Sequence, residues 1–504
     1  MNPLLYVDSY KIHHHRQYPD GMSLLYSNLT PRKSRLKGVN KVVFFGLQHF
    51  ILEYLIEKFN KEFFKANWKD LDSEYTRHNQ VDIKHIRALY ILGYLPIEIK
   101  ALSEGTLCPI GVPCLTIKNT HPKFAWLTNY LETLISCQLW QPITSATIAN
   151  EYKQLLSKYA IETTGSSEGV QWQGHDFSMR GMSSVESAIL SGMAHLTSFT
   201  GTDTIPALYQ LERSYGATGL IGASVPATEH SVMCMGNKES ELETFKRLLT
   251  LYPTGILSVV SDTWDLWTVL TEYLPKLKEE ILARDGKLVI RPDSGDPVDI
   301  ICGIRHKPLV QYPSKYDKMP AKDYTKQPDF KGVIELLWDI FGGTTNKYGY
   351  KELNSHIGAI YGDSITLDRA KEICERLKAK GFASTNVVLG IASYTYQYNT
   401  RDTFGFAMKA TYGEVNIGDK VDCREIFKDP ITDDGTKRSA KGLLCVDFYD
   451  DDDPTTLKMI DQCDWEEEES GQLKTVFKNG KLLRTTTLDE IRHRLASAVL
   501  DSVL

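Results

Sequence analysis

Lys287-Leu-Val-Ile-Arg-Pro-Asp-Ser-Gly-Asp-Pro297 reads as a short buried strand that runs into a tight polar loop. The apolar run is only Leu288 to Ile290, and Pro292 and Gly295 punctuate its end. Arg291 and Asp293 therefore sit where a strand stops and a loop begins. In α/β folds that C-terminal strand edge is where ligands bind. A guanidinium and two carboxylates there suit a substrate that carries phosphate together with a metal ion or a developing cation. A plain surface turn would use the same Asp and Gly for backbone geometry alone.

The same pattern repeats on both sides. Val170 to Gln173 leads to Gly174-His-Asp-Phe-Ser-Met-Arg-Gly181, and Phe199 leads to Gly201-Thr-Asp-Thr204. Leu220 to Val225 leads to Pro226-Ala-Thr-Glu-His-Ser231, and Ile256 to Val260 leads to Ser261-Asp262. Ile357 to Tyr361 leads to Gly362-Asp-Ser364, and Asn386 to Leu389 leads to Gly390-Ile-Ala-Ser393. Helices fill the gaps: Ser183-Ser-Val-Glu186 reads as a capping box, and Leu266 to Leu282 and Thr366 to Lys380 have helical spacing. About seven strand–helix units in about 240 residues predict a parallel sheet closed, or nearly closed, into a (β/α) barrel. Every candidate residue follows a strand, and that placement is more specific than any one loop.

The flanks have another texture. Residues 22–28 and 46–66 read as strand and helix, Tyr90 to Ile99 as irregular, and Phe124 to Trp140 as an amphipathic helix. Thr403 to Tyr412 and Gly442 to Phe448 read as strands, Phe477-Lys-Asn-Gly-Lys481 as a hairpin, and Thr487-Leu-Asp-Glu490 as the cap of a last helix. Arg32 to Lys37, Phe427 to Pro430 and Thr436 to Ser439 are basic loops; Asp450 to Asp453 and Glu466 to Glu469 are acidic runs expected to be solvated. The expected organisation is an α/β fold. Residues 151–395 form the barrel, and residues 1–150 and 396–504 together build one α+β domain.

Composition narrows the class. The 504 residues carry a net charge of -6, so no basic surface points to nucleic acid. Nine cysteines without a Cys-x-x-Cys pair fit a reducing cytoplasm rather than a zinc or disulfide framework. Neither a signal peptide nor a membrane span is read. His13-His14-His15 is a basic segment rather than a metal site, because successive side chains diverge.

Taken in order, nine pieces carry a resemblance. They are Asp8-Ser-Tyr-Lys11, His175-Asp-Phe177, Gly201-Thr-Asp-Thr204, Glu229-His-Ser231, Arg291-Pro-Asp-Ser-Gly295, Gly362-Asp363, Thr400-Arg-Asp402, Phe427-Lys-Asp-Pro430 and Phe477-Lys-Asn-Gly480. The chain resembles the type II phosphoribosyltransferases that act on nicotinamide and nicotinate, over nearly its whole length. The resemblance implies a homodimer with shared active sites and the reaction of nicotinamide with 5-phosphoribosyl pyrophosphate, giving nicotinamide mononucleotide and pyrophosphate. It also implies Mg2+, and ATP as a coupled substrate acting through phosphorylation of His230. Asp262 and Asp293 would serve the ribose and the magnesium, mostly through water. Arg180 and Arg291 would bind substrate, and Gly362, Asp363, Ala392 and Ser393 would lie by the 5′-phosphate. Arg32, Arg401, Lys409 and Lys428 would reach the phosphates across the dimer. Phe177, with Tyr10 from the other subunit, would sandwich the pyridine ring, and Asp203 would face the carboxamide. Glu229 is placed to orient His230. Two positions depart from vertebrate members: Ile391-Ala392-Ser393 replaces a glycine run, and Met179 replaces Tyr. The rival readings are a nicotinate phosphoribosyltransferase, a metal-dependent barrel lyase or aldolase, and a partner-binding protein that has lost its chemistry.

Overall fold

Strand Asp285–Arg291 has Leu288 and Ile290 fully buried on one face and Val289 half-buried on the other. It pairs in parallel with Thr254–Val260 on one side and Ile357–Tyr361 on the other. The computed structural model describes residues 2–79, 82–305, 326–428, 440–450 and 453–503. The sheet continues through Val387–Ile391 and Gly174–Asp176 to Gly201–Thr202, all parallel. Two isolated parallel bridges, Gly201 to Ala223 and Ala227 to Ser258, carry the ring back to Thr254–Val260. The barrel expected from the sequence is therefore present, with its ring joined at one point by single bridges. Leu220 to Val225, expected as a strand, contributes only a bridge there. Val170 to Gln173 is mostly helical turn (Glu168–Trp172), and the strand starts one residue later, at Gly174. Helices Val185–His195, Ile205–Tyr215, Glu241–Leu251 and Leu367–Ala379 lie between the strands. The first is capped by Ser184, which accepts from Ser187 N, and not by Ser183.

A second sheet is antiparallel and takes strands from both chain ends. Its order is Lys420–Glu425, Ala407–Ile417, Met22–Thr30, Leu115–Asn119, Ile97–Ala101, Lys474–Lys478 and Lys481–Leu482. Here Tyr90 to Ile99 is not irregular: it ends helix Lys84–Leu92 and starts the strand at Ile97. The hairpin turns at Asn479 and Gly480, both with positive φ. The acidic run near residue 466 is not simply solvated. Asp464 and Glu467 form a capping box, and Glu468 is buried, paired with the equally buried Lys100 at 2.6 Å. Of the other basic and acidic loops, Thr436 to Ser439, residues 429–430 and residues 451–452 lie outside the described residues.

Helix Glu132–Thr164 joins the two bodies, and its buried face runs from Leu134 to Thr163. The sequence pattern of Phe124 to Trp140 shows only its first part. Residue 150 lies in mid-helix, so the change of rhythm read there falls inside a shared element. The last helix, Leu488–Val503, starts from the expected box: Thr487 N donates to Glu490 Oε2 at 2.7 Å, and Glu490 N to Thr487 Oγ1 at 3.2 Å. Among the described residues no helix is long and apolar enough to cross a membrane.

Candidate functional site

Arg291 is the last residue of its strand and turns its guanidinium onto Asp293, Nε to Oδ1 at 3.4 Å and Nη2 to Oδ2 at 3.1 Å. Asp262 follows the adjacent strand. Its Oδ2 accepts the N–H groups of Asp293 at 2.9 Å and Ser294 at 2.6 Å, which fixes the loop carrying Asp293. The other oxygen, Oδ1, is buried without a hydrogen-bond partner and lies 3.5 Å from His230 Nε2. His230 is brought there by the bridge at Ala227 and by Thr228, whose Oγ1 accepts from Val260 N at 2.9 Å. Three neighbouring ring positions thus meet at one point. Asp262 is the carboxylate nearest the His230 ring, while the Glu229 carboxylate accepts from the Ser231 hydroxyl. Adjacency in sequence suggested Glu229, but strand pairing supplies Asp262 from 32 residues away.

Gly362 is required by close approach. A Cβ there would overlap Asp293 Oδ1 and come within 3.0 Å of Arg291 Nε. A Cβ at Gly390 would lie 2.8 Å from Phe177 Cδ2 and 2.9 Å from Gly362 Cα. Phe177 follows strand Gly174–Asp176 and donates its N–H to Ile391 O at 3.0 Å. Arg291 Cζ stands 5.0 Å from its ring centre, a cation–π approach. The Tyr361 hydroxyl donates to Gly295 O at 3.0 Å. Burial and the surrounding carboxylates, Asp262, Asp293 and Asp363 foremost, push its pKa up.

Asp203 completes the group from the next strand end. His175 Nε2 is 3.1 Å from its Oδ1, and the His175 and Phe177 rings are 4.5 Å apart. Burial alone would raise the Asp203 pKa. Hydrogen bonds from His175 and Ser224, with the charges of His175 and Arg291, outweigh it and hold the carboxyl below its ordinary value. The side chain remains 44% exposed, open to a ligand. Beneath it Asp176, fully buried, accepts from Ser178 N, Thr202 Oγ1 and Thr204 Oγ1 and ties both strand ends together. His175 and Asp176 carried no role in the sequence reading. Their signal was the His-Asp-Phe motif itself, two polar residues inside a buried strand.

On the far rim, Ser364 has φ 57 and donates to Asp363 Oδ2 at 2.9 Å. Ala392 precedes the short helix Ser393–Gln397, and Ser393 lies so close to Gly181 that a Cβ there would overlap its Oγ. The turn Met179–Gly181, with Arg180 exposed, is thereby held against it. Arg32, Arg401, Lys409 and Lys428 gather on the antiparallel body. Burial and then the charges of Lys428, Arg32 and Arg401 lower the Lys409 pKa, against the pull of Glu132. Tyr10 does not join Phe177 within the chain. It is 62% exposed, with its ring 5.2 Å from His14 and Lys11 Nζ 5.4 Å above it. The three histidines diverge: His15 stacks on His85 at 3.6 Å while His14 faces Tyr10. Among the described residues no group of three or more His, Cys, Asp or Glu side chains is placed to hold a metal directly, the ligand set a barrel lyase would need.

A parallel barrel whose mouth joins a guanidinium–carboxylate pair, a flat ring and a second carboxylate, with an α+β body from both chain ends, has the fold of the type II phosphoribosyltransferases. Solved structures share that fold at 13% identity. Human nicotinic acid phosphoribosyltransferase has a TM-score of 0.54, covering 99% of this chain and 94% of that one. A nicotinate-nucleotide pyrophosphorylase from Pyrococcus furiosus has a TM-score of 0.53, covering 100% and 97%. The chain belongs to the nicotinate phosphoribosyltransferase (NAPRTase) family, whose model matches residues 172–481, and is an enzyme of the pentosyltransferase class. Residues 2–99 match the N-terminal domain of nicotinamide phosphoribosyltransferase. Proteins named nicotinamide phosphoribosyltransferase are similar along their length. One from Acinetobacter baylyi is 52% identical (98% of this chain, 97% of that one), and one from Xanthomonas campestris is 33% identical (97% of each). One from Mycoplasma pneumoniae is 37% identical, covering 87% of this chain and 94% of that one.

Proposed function

We propose that the enzyme joins nicotinamide to 5-phosphoribosyl pyrophosphate, releasing pyrophosphate and forming nicotinamide mononucleotide for NAD salvage. The observation that carries this reading is the half-open, ionised Asp203, joined through His175 to Phe177, whose ring Arg291 approaches from across the barrel mouth. The bond from the ribose carbon to pyrophosphate breaks and a bond to the pyridine nitrogen forms. That nitrogen has a free lone pair, so no general base is needed, and the site offers carboxylates instead of a triad. Asp262 and Asp293 stabilise the positive charge that develops on the sugar. The Phe177 face stacks on the electron-poor ring. Asp203, with one oxygen engaged by His175, still has lone pairs to accept the carboxamide N–H. It would repel the carboxylate of nicotinate, and a site built to hydrogen-bond a substrate N–H rejects an analogue lacking it.

The unpartnered buried Oδ1 of Asp262, next to Asp293, fits a magnesium ion reached through water. When bound, magnesium would neutralise charge on the departing pyrophosphate. His230 is the residue that ATP phosphorylates. The ring is half exposed, and one of its nitrogens would attack the γ-phosphorus as the bond to ADP breaks and ADP leaves. The exposed Tyr10 and the crowded Arg32, Arg401, Lys409 and Lys428 are read as the half-site offered to a partner subunit, so the enzyme works as a homodimer. Nine unpaired cysteines support a cytoplasmic location. Pyrophosphate release that requires both nicotinamide and phosphoribosyl pyrophosphate tests the reaction. A higher kcat/KM for nicotinic acid would overturn the assignment of Asp203.

A further inference from the structure

The geometry points to a small-oxyanion site, of the phosphate class, at the base of the barrel, walled by Asn150, Lys153, Ser198 and Arg492. This cavity of about 190 Å³ lies where three elements meet: helix Glu132–Thr164, helix Leu488–Val503 and the loop Thr197–Thr200. That loop enters strand Gly201–Thr202 at its N-terminal end, so the cavity opens away from the mouth that holds Asp203 and Arg291.

Two cations share this space without an acid among the lining residues. Among the described residues Lys153 forms no ion pair, and its Nζ stands 5.6 Å from the Phe199 ring centre. Arg492 is tied down by main-chain carbonyls instead of a carboxylate. It donates to Leu196 O at 2.9 Å, Ile221 O at 2.7 Å and Phe199 O at 3.4 Å. Burial, and then the charge of Arg492, lower the Lys153 pKa to about 8, as for two like charges facing one cavity.

Neutral groups point the same way. Asn150 is 2% exposed and lines the cavity, and its Oδ1 has no hydrogen-bond partner. The buried Ser198 Oγ is likewise unpaired. Buried polar groups left unmade are costly, and a fold keeps them where something else completes them. A phosphate supplies what is missing. Its oxygens would accept from the Lys153 ammonium, and small side-chain rotations would bring it the Ser198 hydroxyl and the Asn150 amide, whose unpaired oxygens are closed to solvent as they stand. Arg492 adds the second charge while remaining anchored. Such a ligand would pin the last helix to the long helix and to the barrel.

The test is a thermal titration of the full-length protein with orthophosphate at ionic strength held constant by chloride. The catalytic mouth also takes phosphate groups, so Arg291→Ala is titrated alongside. The melting midpoint should rise with phosphate in the wild type and in Arg291→Ala. Lys153→Met should need about tenfold more phosphate for the same rise, the loss of one charge-assisted hydrogen bond. A Lys153→Met curve that matches the wild type, with the response lost in Arg291→Ala, would overturn the site. A measurement independent of any variant is the anomalous signal of tungstate soaked into crystals. The peak belongs between Lys153 Nζ and Asn150, and a peak only at the mouth refutes the proposal. Glycerol phosphate replaces orthophosphate in a final arm: a stronger response identifies a monoester, a weaker one the free ion, and no response to either ends the proposal.

Discussion

Replacing Asp262 separates its two tasks. Its Oδ2 holds the N–H groups of Asp293 and Ser294 at 2.9 and 2.6 Å, while Oδ1 faces His230 and the expected sugar. Asp262→Ala frees both N–H groups. Hydrogen bonds to a charged group contribute about 1.5–3 kcal/mol each, and the Ser294 bond is exposed, so the loss should be about 3 kcal/mol. For 504 residues the unfolding entropy is about 1.1 kcal/mol/K, and the midpoint should fall by about 3 °C. Asp262→Asn keeps one oxygen for both N–H groups, so its midpoint should stay within about 1 °C of wild type. Its charge is gone, however. A carboxylate about 5 Å from a cation at an effective dielectric near 20 contributes about 3 kcal/mol. That is about two powers of ten in rate. The negative charge 3.5 Å from the His230 ring is lost too, so stimulation by ATP should fall as well. Calorimetry and pyrophosphate release measure the two effects. An Asp262→Asn enzyme with wild-type kcat/KM would refute the electrostatic role. An Asp262→Ala protein that melts with the wild type would refute the loop clamp.

Asp203→Ala should lower kcat/KM for nicotinamide more than for nicotinate; equal losses count against a specificity role. His230→Ala should abolish stimulation by ATP yet leave basal synthesis, and unchanged stimulation would remove the phosphohistidine. Gly362→Ala should force the Arg291–Asp293 pair apart and cut kcat/KM by about a hundredfold while the protein stays folded; near-normal kinetics would show that the close approach is not needed. The pH response has a definite sign. His49 and His195 are buried, and desolvation lowers each to about 4 from 6.5, so the unfolded chain binds protons that the folded one refuses. Their contribution is complete above about pH 6.5 and is lost as the pH falls toward 4, about 2 kcal/mol each by pH 5. His85, lowered to about 3, adds about 2 kcal/mol more; Glu241, raised to about 7 by burial, works oppositely and offsets about one of the three, so a net loss of about 4 kcal/mol is expected between pH 8 and 5. A melting midpoint that rises over that interval would contradict this.

Legibility followed range. Signals confined to a few residues were readable: the strand end at Arg291, the Thr487 box and the Asn479-Gly480 turn, because each depends on local backbone preference. The Glu466 to Glu469 run misled for the same reason. Its spacing shows a capped helix start, but only the fold brings Lys100 from 368 residues away to bury Glu468. The carboxylate beside His230 was hidden similarly, since strand pairing brings Asp262 within 3.5 Å of it from 32 residues away. Leu220 to Val225 has a strand's composition, yet ring closure leaves it room for single bridges.

The residues by themselves determined the kinds of chemistry available, their position after strands, and the alternation that makes a barrel, since side-chain type and periodicity act through neighbours along the chain. Only the tertiary structure decided which groups share one electrostatic environment. Asp262 under His230, His175 on Asp203, and Gly362 against Asp293 depend on distances across the ring. Those distances are set by packing, to which residues far apart in sequence contribute jointly.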